Sequence, residues 1–207
     1  MDNYKPTIKL NQSWKTVELE TLADTFIDGN WIESKDQSKG GIRLVQTGNV
    51  GSGEYLDKGD RARYISEETF KRLKCVEVKP GDVLISRLPD PIGRACIVPE
   101  LKIKLITAVD CTIVRFNPAK MLSVFFVAYT MTSDYYRQLS QFLTGASRQR
   151  ISRGNLGKIK IPVPPFEYQK KIVAQFEQEQ KHIGSVKEVA DLFEQKIKDK
   201  ISEVWGN

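Results

Sequence analysis

Three prolines followed by a long run of heptad-spaced apolar residues constrain the fold of this chain more than any other feature. Pro162, Pro164 and Pro165 favour an extended segment, so a new helix has to begin after them. Beyond them, ten positions alternate spacings of four and three, with Glu179 and Lys200 as the two polar members. The eight apolar positions are Ile172, Phe176, Ile183, Val186, Ala190, Phe193, Ile197 and Val204.

This pattern is the seam of a coiled coil. We therefore predict that residues 164–207 form a connector helix about 60 Å long, which is too long for a small domain to cover. The helix is expected to pair through the seam with a second helix, from another copy or another subunit. The alternative is a single amphipathic helix folded back on its own domain.

Residues 14–163 show the pattern of an α+β domain. Short apolar runs between turn signals predict strands, and we place these at residues 42–46, 75–78, 83–86, 95–98, 103–109 and 112–116. A short helix is predicted from Ser66 to Lys74, with Ser66 as its N-cap. A second helix is predicted over 121–143, with Phe125, Phe126, Tyr129 and Leu139 buried. Residues 1–13 read as a polar N-terminal tail. The expected fold is a mixed, β-rich domain followed by a long C-terminal helix.

The composition argues against secretion and membrane insertion. No window approaches the roughly 18 apolar residues that cross a membrane, and the first residues lack the apolar run of a signal peptide. Cys75, Cys96 and Cys111 are an odd number without CxxC spacing, which favours buried, reduced thiols and a cytoplasmic location.

The positive charge lies in the first 164 residues, which hold 25 basic and 18 acidic side chains. Residues 137–160 carry six basic residues and no carboxylate. Within them, residues 144–157 combine hydroxyls, amides, guanidinium groups and glycines, which suits phosphate oxygens and base edges. This stretch predicts a nucleic-acid-binding surface. A protein-interaction adaptor that grips an acidic partner remains an alternative.

Catalytic chemistry has little support in the sequence. The single histidine, His182, excludes a zinc site of several histidines and a Ser–His–Asp triad. The glycine-rich stretch 48–53 has no GK[ST] sequence and is not a P-loop. A less favoured alternative is a metal-dependent DNA endonuclease built on Asp90, Glu100 and Lys102, although Pro91 and Pro99 interrupt its strand positions. We expect a non-catalytic protein without a bound cofactor or metal.

Two segments resemble the specificity subunits of type I restriction–modification systems. Residues 81–86 (GDVLIS), with Ile92-Gly93-Arg94 and Ile97-Val98, look like the middle of a target recognition domain. Residues 161–165 (IPVPP) and 169–173 (QKKIV) look like the start of that family's connector helix. The resemblance extends from about Trp14 to the end of the helix. Tyr168 departs from the pattern, because the family often has glutamate there.

The resemblance implies a DNA-reading protein that depends on partners for chemistry. A full-length specificity subunit has two recognition domains and two antiparallel connector helices, whereas this chain has one of each. It could therefore be a half-subunit that forms a homodimer with a two-fold bipartite site, a truncated gene product, or a fragment. The implied partners are double-stranded DNA, a methyltransferase subunit that uses S-adenosylmethionine, and in some complexes a restriction subunit.

The expected DNA-binding residues are polar side chains in two parts of the recognition domain. Arginine suits guanine and amides suit adenine, so the base-reading candidates are Gln46, Asn49, Arg148 and Gln149. The phosphate-binding candidates are Arg61, Arg63, Arg94, Arg150, Arg153 and Lys158. Ser147, like Thr144, is expected to cap or donate within the same stretch.

Overall fold

The computed structural model describes residues 13–89, 91–145 and 149–205, apart from the side chain of Lys187. In these residues the strands are β1 (Lys15–Glu18), β2 (Ala23–Asp28), β3 (Gln37–Ser38), β4 (Ile42–Val45), β5 (Arg63–Ile65), β6 (Val83–Ser86), β7 (Ala95–Ile97), β8 (Leu105–Thr107), β9 (Cys111–Phe116) and β10 (Lys160–Val163). The helices are α1 (Leu19–Leu22), α2 (Glu67–Arg72), α3 (Ser123–Thr130), α4 (Ser133–Ser140), α5 (Arg153–Gly157) and α6 (Phe166–Trp205). No helix within these ranges is long and apolar enough to cross a membrane.

The strands form two four-stranded sheets and one two-stranded ribbon. The first sheet has the antiparallel order β2-β9-β6-β7, and the second has the order β3-β5-β4-β8, in which β4 and β8 are parallel. Asn30 bridges to Ala108 and joins the two sheets. Gly29 permits this approach, because a Cβ atom there would lie 2.1 Å from the Thr107 carbonyl oxygen. The predicted α+β fold with a long C-terminal helix is confirmed.

The main core lies between the first sheet and helices α3 and α4. Phe125, Phe126, Tyr129 and Leu139 are all buried there, as predicted. The hydroxyl of Tyr129 donates to Asp134 at 2.7 Å, which satisfies its hydrogen-bonding group inside the core. Apolar packing therefore joins both helices to the sheet, and this hydrogen bond links α3 to α4.

The single helix predicted over 121–143 is wrong, because the chain forms two helices there. The first helix ends at Thr130 with Met131 as its C-cap, and Thr132 starts the second. The Thr132 hydroxyl oxygen accepts a hydrogen bond from the Tyr135 amide, which makes Thr132 the N-cap of α4. Asp134 in the first turn of α4 also favours a helix start at this point. The predicted strand 75–78 is reduced to one bridge between Val78 and Leu105.

The ribbon joins the beginning of the domain to its end. β1 pairs with β10 in antiparallel register, with Lys15 opposite Val163 and Glu18 opposite Lys160. Pro162 lies in β10 opposite Thr16, so the segment that the prolines hold extended is used as a strand. Helix α6 begins three residues after β10, and the helix predicted after the prolines is confirmed over 40 residues.

Gln169 fastens the start of α6 to the domain. Its side chain is 1 % exposed, although it lies in the first turns of a surface helix. The side-chain oxygen accepts from the Leu122 amide at 2.9 Å, and the side-chain nitrogen donates to the carbonyl oxygens of Lys120 and Pro164, each at 3.2 Å. One side chain thus connects α6, the segment before α3 and the proline turn.

Candidate nucleic-acid interface

Several connections meet at one end of the two sheets. β2 and β6 end there, and β9 and β7 begin there, because Asp28 pairs with Thr112 and Ile85 pairs with Ala95. In the second sheet, the parallel strands β4 and β8 end beside each other, and the Ala108 amide donates to the Val45 carbonyl at 3.0 Å. The connections after β4 and after β6 therefore lie close together, as does the turn between β8 and β9.

Arg94 holds the connection after β4 against the connection after β6. Its guanidinium group donates to the carbonyl oxygens of Val50 at 2.6 Å and Thr47 at 2.8 Å. It also donates to the carbonyl oxygens of Leu88 at 3.0 Å and Pro91 at 2.9 Å. Arg94 is 8 % exposed, so its donors serve the protein interior. The sequence predicted a phosphate contact for Arg94. In the structure its guanidinium group instead binds backbone carbonyl oxygens of two loops and holds them together.

Arg87 holds the connection between α4 and α5 against the turn between β8 and β9. It donates to the carbonyl oxygens of Ile151 at 3.0 Å and Val109 at 2.8 Å, and lies 3.2 Å from a carboxylate oxygen of Asp28. The Ile151 amide returns a hydrogen bond to the Arg87 carbonyl. Arg87 was not among the predicted DNA-binding residues. The available signal was a lone arginine directly after the apolar strand 83–86.

The connection between α4 and α5 projects polar side chains from this base. Thr144 and Arg150 exchange two backbone hydrogen bonds, at 3.0 and 2.9 Å, which close the loop. Gln149 and Arg150 are exposed, and Arg153 is exposed in the first turn of α5. Ser147 and Arg148, two further candidates, lie outside the described residues.

The candidates around β4 fall into two groups. Asn49 is 8 % exposed: its side chain accepts from the Gln46 amide at 3.0 Å and donates to the Leu56 carbonyl at 2.9 Å. It therefore shapes the loop from inside, which differs from the base contact predicted for it. Gln46 is half-buried, whereas Arg61 and Arg63 are exposed. Arg63 pairs with Leu44 across the sheet, so it lies beside the end of β4.

The remaining basic residues of the 137–160 stretch lie farther along the domain. Arg137 pairs with Asp134, and Lys160 pairs with Glu18 at 2.9 Å. The pKa of Glu18 is lowered, first by its hydrogen bond to Lys160 and to a smaller extent by the positive charge of Lys158. Lys158 is exposed and lies toward the ribbon.

The structure gives no support to a metal or thiol site in the residues that it describes. No group of three or more His, Cys, Asp or Glu side chains there is arranged to hold a metal ion. Glu100 and Lys102 are exposed in a connection after β7, and Asp90 lies outside the described residues. The three cysteines are buried and unbonded, as predicted. Burial raises the pKa of Cys96 to about 12 and that of Cys111 to about 11, which favours the protonated thiol over the thiolate.

The predicted seam of α6 divides into two parts. Phe176 is buried against α3, and Ile172 packs at the edge of the main core. These two side chains are covered by the chain's own domain, as in the alternative of a helix that folds back. Beyond them, the apolar side chains are largely open to solvent, with exposures of 54 % for Val186, 59 % for Phe193, 58 % for Ile197 and 67 % for Val204. Ile183 and Ala190 are intermediate.

The comparisons with known proteins agree on one family. Residues 11–198 match the family model described as type I restriction modification DNA specificity domain. The chain is similar to the specificity subunit of the type I restriction enzyme MjaVIII from Methanocaldococcus jannaschii, with 22 % identity over 170 residues. That similarity covers 78 % of this chain and 38 % of the relative.

Solved structures with the same fold include type I specificity subunits. A chain from work on complex assembly and conformational transition of the type I R-M system matches with a TM-score of 0.65 and 21 % identity, over 93 % of this chain and 45 % of that chain. The HsdS subunit from Thermoanaerobacter tengcongensis matches with a TM-score of 0.61 and 21 % identity, over 89 % and 41 %. The chain thus spans less than half the length of these relatives.

Proposed function

Because this chain belongs to the type I restriction modification DNA specificity domain family, we propose that it is a sequence-specific DNA-binding module that reads one half of a bipartite site. Residues 14–163 act as the target recognition domain and residues 164–207 as the connector helix. The observation that carries the proposal is the set of loops at one end of the sheets, which Arg87 and Arg94 brace from inside. Bracing holds backbone carbonyl groups at the base of these loops, and base recognition requires such support.

The proposed contacts follow from exposure and chemistry. Gln46 and Gln149 present amides that suit adenine, and Arg148 stays a predicted guanine contact. Arg61, Arg63, Arg150, Arg153 and Lys158 are proposed phosphate contacts, and Ser147 stays a predicted donor. Asn49 and Arg94 are left out, since both are committed to loop structure. Such a module binds DNA in the cytoplasm without a cofactor of its own.

The proposed partners are a methyltransferase subunit and, in a restriction complex, a restriction subunit. They supply the chemistry, while this chain supplies the choice of sequence. We further propose self-association through α6, which supports a two-fold site with two recognition domains. The exposed seam beyond residue 180 supports this proposal, because Val186, Phe193 and Ile197 leave water when a second helix packs on them.

The test of DNA recognition is selection from a pool of random duplexes, followed by titration of the selected duplex at several salt concentrations. The wild-type chain should enrich one sequence, and its affinity should fall steeply with added salt. Arg150→Ala should weaken binding and reduce the salt dependence by about one released counterion. Lys102→Ala is the matched control, since it removes one charge from an exposed site outside these loops.

Two outcomes would contradict the proposal. Salt-sensitive binding without enrichment of any sequence would favour the adaptor that grips acidic partners. Magnesium-dependent cleavage of plasmid that Asp90→Ala abolishes would favour the endonuclease.

Sedimentation tests the self-association. Phe193→Glu should shift the chain toward monomer, because a carboxylate on the seam opposes packing. Gln178→Glu adds the same charge to α6 away from the seam and should leave the distribution unchanged. Equal sedimentation of the wild type and Phe193→Glu would exclude pairing through this seam.

A further inference from the structure

The loop after β4 passes close to helix α6. Gly53, at the end of this loop, has a φ angle of +87°, and a Cβ atom there would lie 2.8 Å from the Met131 sulfur and 3.8 Å from the Phe176 ring. Phe176 belongs to α6, whereas Met131 follows α3. The loop therefore passes beside Met131, which packs with Phe176 of helix α6 in one small core.

Phe176 is unusual among the apolar seam residues of α6. It is 6 % exposed and forms a small core with Ala128 and Met131, with Val124 at its edge. Phe193, on the same predicted seam, is 59 % exposed. The packing of Phe176 thus serves the recognition domain of its own chain, and this side chain is closed to a partner helix.

The loop is held from two sides. On the sheet side, Arg94 binds the Thr47 and Val50 carbonyl oxygens, and the Gly53 amide donates to the Ala95 carbonyl at 2.9 Å. On the helix side, Gly53 lies so close to Met131 that an added Cβ atom would be 2.8 Å from its sulfur, and Met131 packs on Phe176. Removing the Phe176 ring takes away the side chain on which Met131 packs and so weakens the apolar support of the loop on this side.

We propose that Phe176 is a positioning residue for DNA recognition, which makes the connector helix part of the sequence readout through the 47–53 loop. The inference rests on the proposed function. In this proposal Phe176 does not contact DNA. It fixes the position of residues 47–53, which follow Gln46, relative to the rest of the domain. A side chain that acts in this way affects the choice among sequences more than the electrostatic affinity for any duplex.

The first experiment needs no DNA. Amide hydrogen exchange of the full chain is compared for the wild type, Phe176→Ala and Phe166→Ala. Phe166 is the matched control, because it lies on the same helix, is 38 % exposed and is absent from the Gly53 contact. Exchange at residues 50–56 should be faster in Phe176→Ala alone. Unchanged exchange there would overturn the proposal.

The second experiment measures the ratio of affinities for the selected duplex and for the same duplex altered at single positions. Phe176→Ala should lower this ratio on the order of tenfold at one or two positions, comparable to losing one well-placed base contact. Its affinity for unrelated duplex at low salt should match that of the wild type. Phe176→Leu, which keeps apolar volume, should show a smaller loss and carries the test if the alanine variant does not fold.

The outcomes separate the two claims. A wild-type chain that selects no sequence defeats the proposed function itself. If the wild type selects a sequence and Phe176→Ala keeps the full ratio of affinities for the selected and altered duplexes, only the role of Phe176 is refuted. An equal loss of affinity for every duplex would make Phe176 a stability residue and would also overturn the proposal.

Discussion

Gln169 offers a direct test of how helix α6 is attached to the domain. Replacing it with leucine keeps most of the apolar volume and removes the amide. The Leu122 amide and the carbonyl oxygens of Lys120 and Pro164 then lose their partner inside a region where Gln169 is 1 % exposed. Each lost hydrogen bond costs about 1 kcal/mol, and more where the remaining group stays buried. The expected loss in the free energy of unfolding is therefore about 3 kcal/mol.

Urea-induced unfolding followed by circular dichroism measures this loss. Gln175→Leu is the matched control, because Gln175 is exposed and bonds Glu179 on the same helix. Surface substitutions of this kind change stability by about 0.5 kcal/mol or less. A loss below about 1 kcal/mol for Gln169→Leu, or an equal loss for both variants, would refute the view that this side chain fastens α6 to the domain.

Three further predictions follow from the internal contacts. Arg94→Lys should cost about 2 kcal/mol in urea unfolding, since an ammonium group cannot reach all the carbonyl oxygens that the guanidinium binds; an unchanged midpoint would contradict this. Thr132→Ala removes the N-cap of α4 and should cost about 1 kcal/mol in the same assay, whereas an exposed Thr21→Ala should cost less. The hydrogen bond from Arg72 holds the pKa of Asp36 in the folded protein below its usual value. This pairing therefore stabilises the folded state above the pKa of the unfolded chain, about 3.9. The stabilisation is lost as the pH falls through the lower pKa of Asp36 in the folded protein. Asp36→Asn should therefore lose less stability than the wild type between pH 7 and pH 3, and identical losses would count against the pairing.

The fold was predictable from sequence where one local signal dominated. The prolines and the heptads predicted α6 because they act through backbone geometry and periodicity. Ser66 likewise predicted α2. The break at Thr132 was missed, since the apolar positions on both sides suggested one continuous helix. The ribbon was missed for a different reason: the pairing of β1 with β10 joins residues more than 140 positions apart, which short-range patterns do not encode.

The candidate site was less predictable, because burial decides what a polar side chain does. Composition drew attention to arginines and amides, but Arg94 and Arg150 look alike in sequence. The structure buries the first among carbonyl oxygens and exposes the second. Arg87 was missed for the same reason. Tertiary contacts alone distinguish an arginine that braces a loop from one that is free to meet a ligand.

The ribbon has a consequence for how this domain can change. The domain begins with β1 and ends with β10, which pair side by side. The loops around Arg94 follow the C-terminal ends of β2 and β6, and α1 precedes the opposite end of β2. Substitutions, insertions or deletions in those loops leave the β1–β10 ribbon and the start of α6 in place. Under the proposed function, a change in these loops alters which DNA sequence is bound while the attachment of α6 to the domain stays the same.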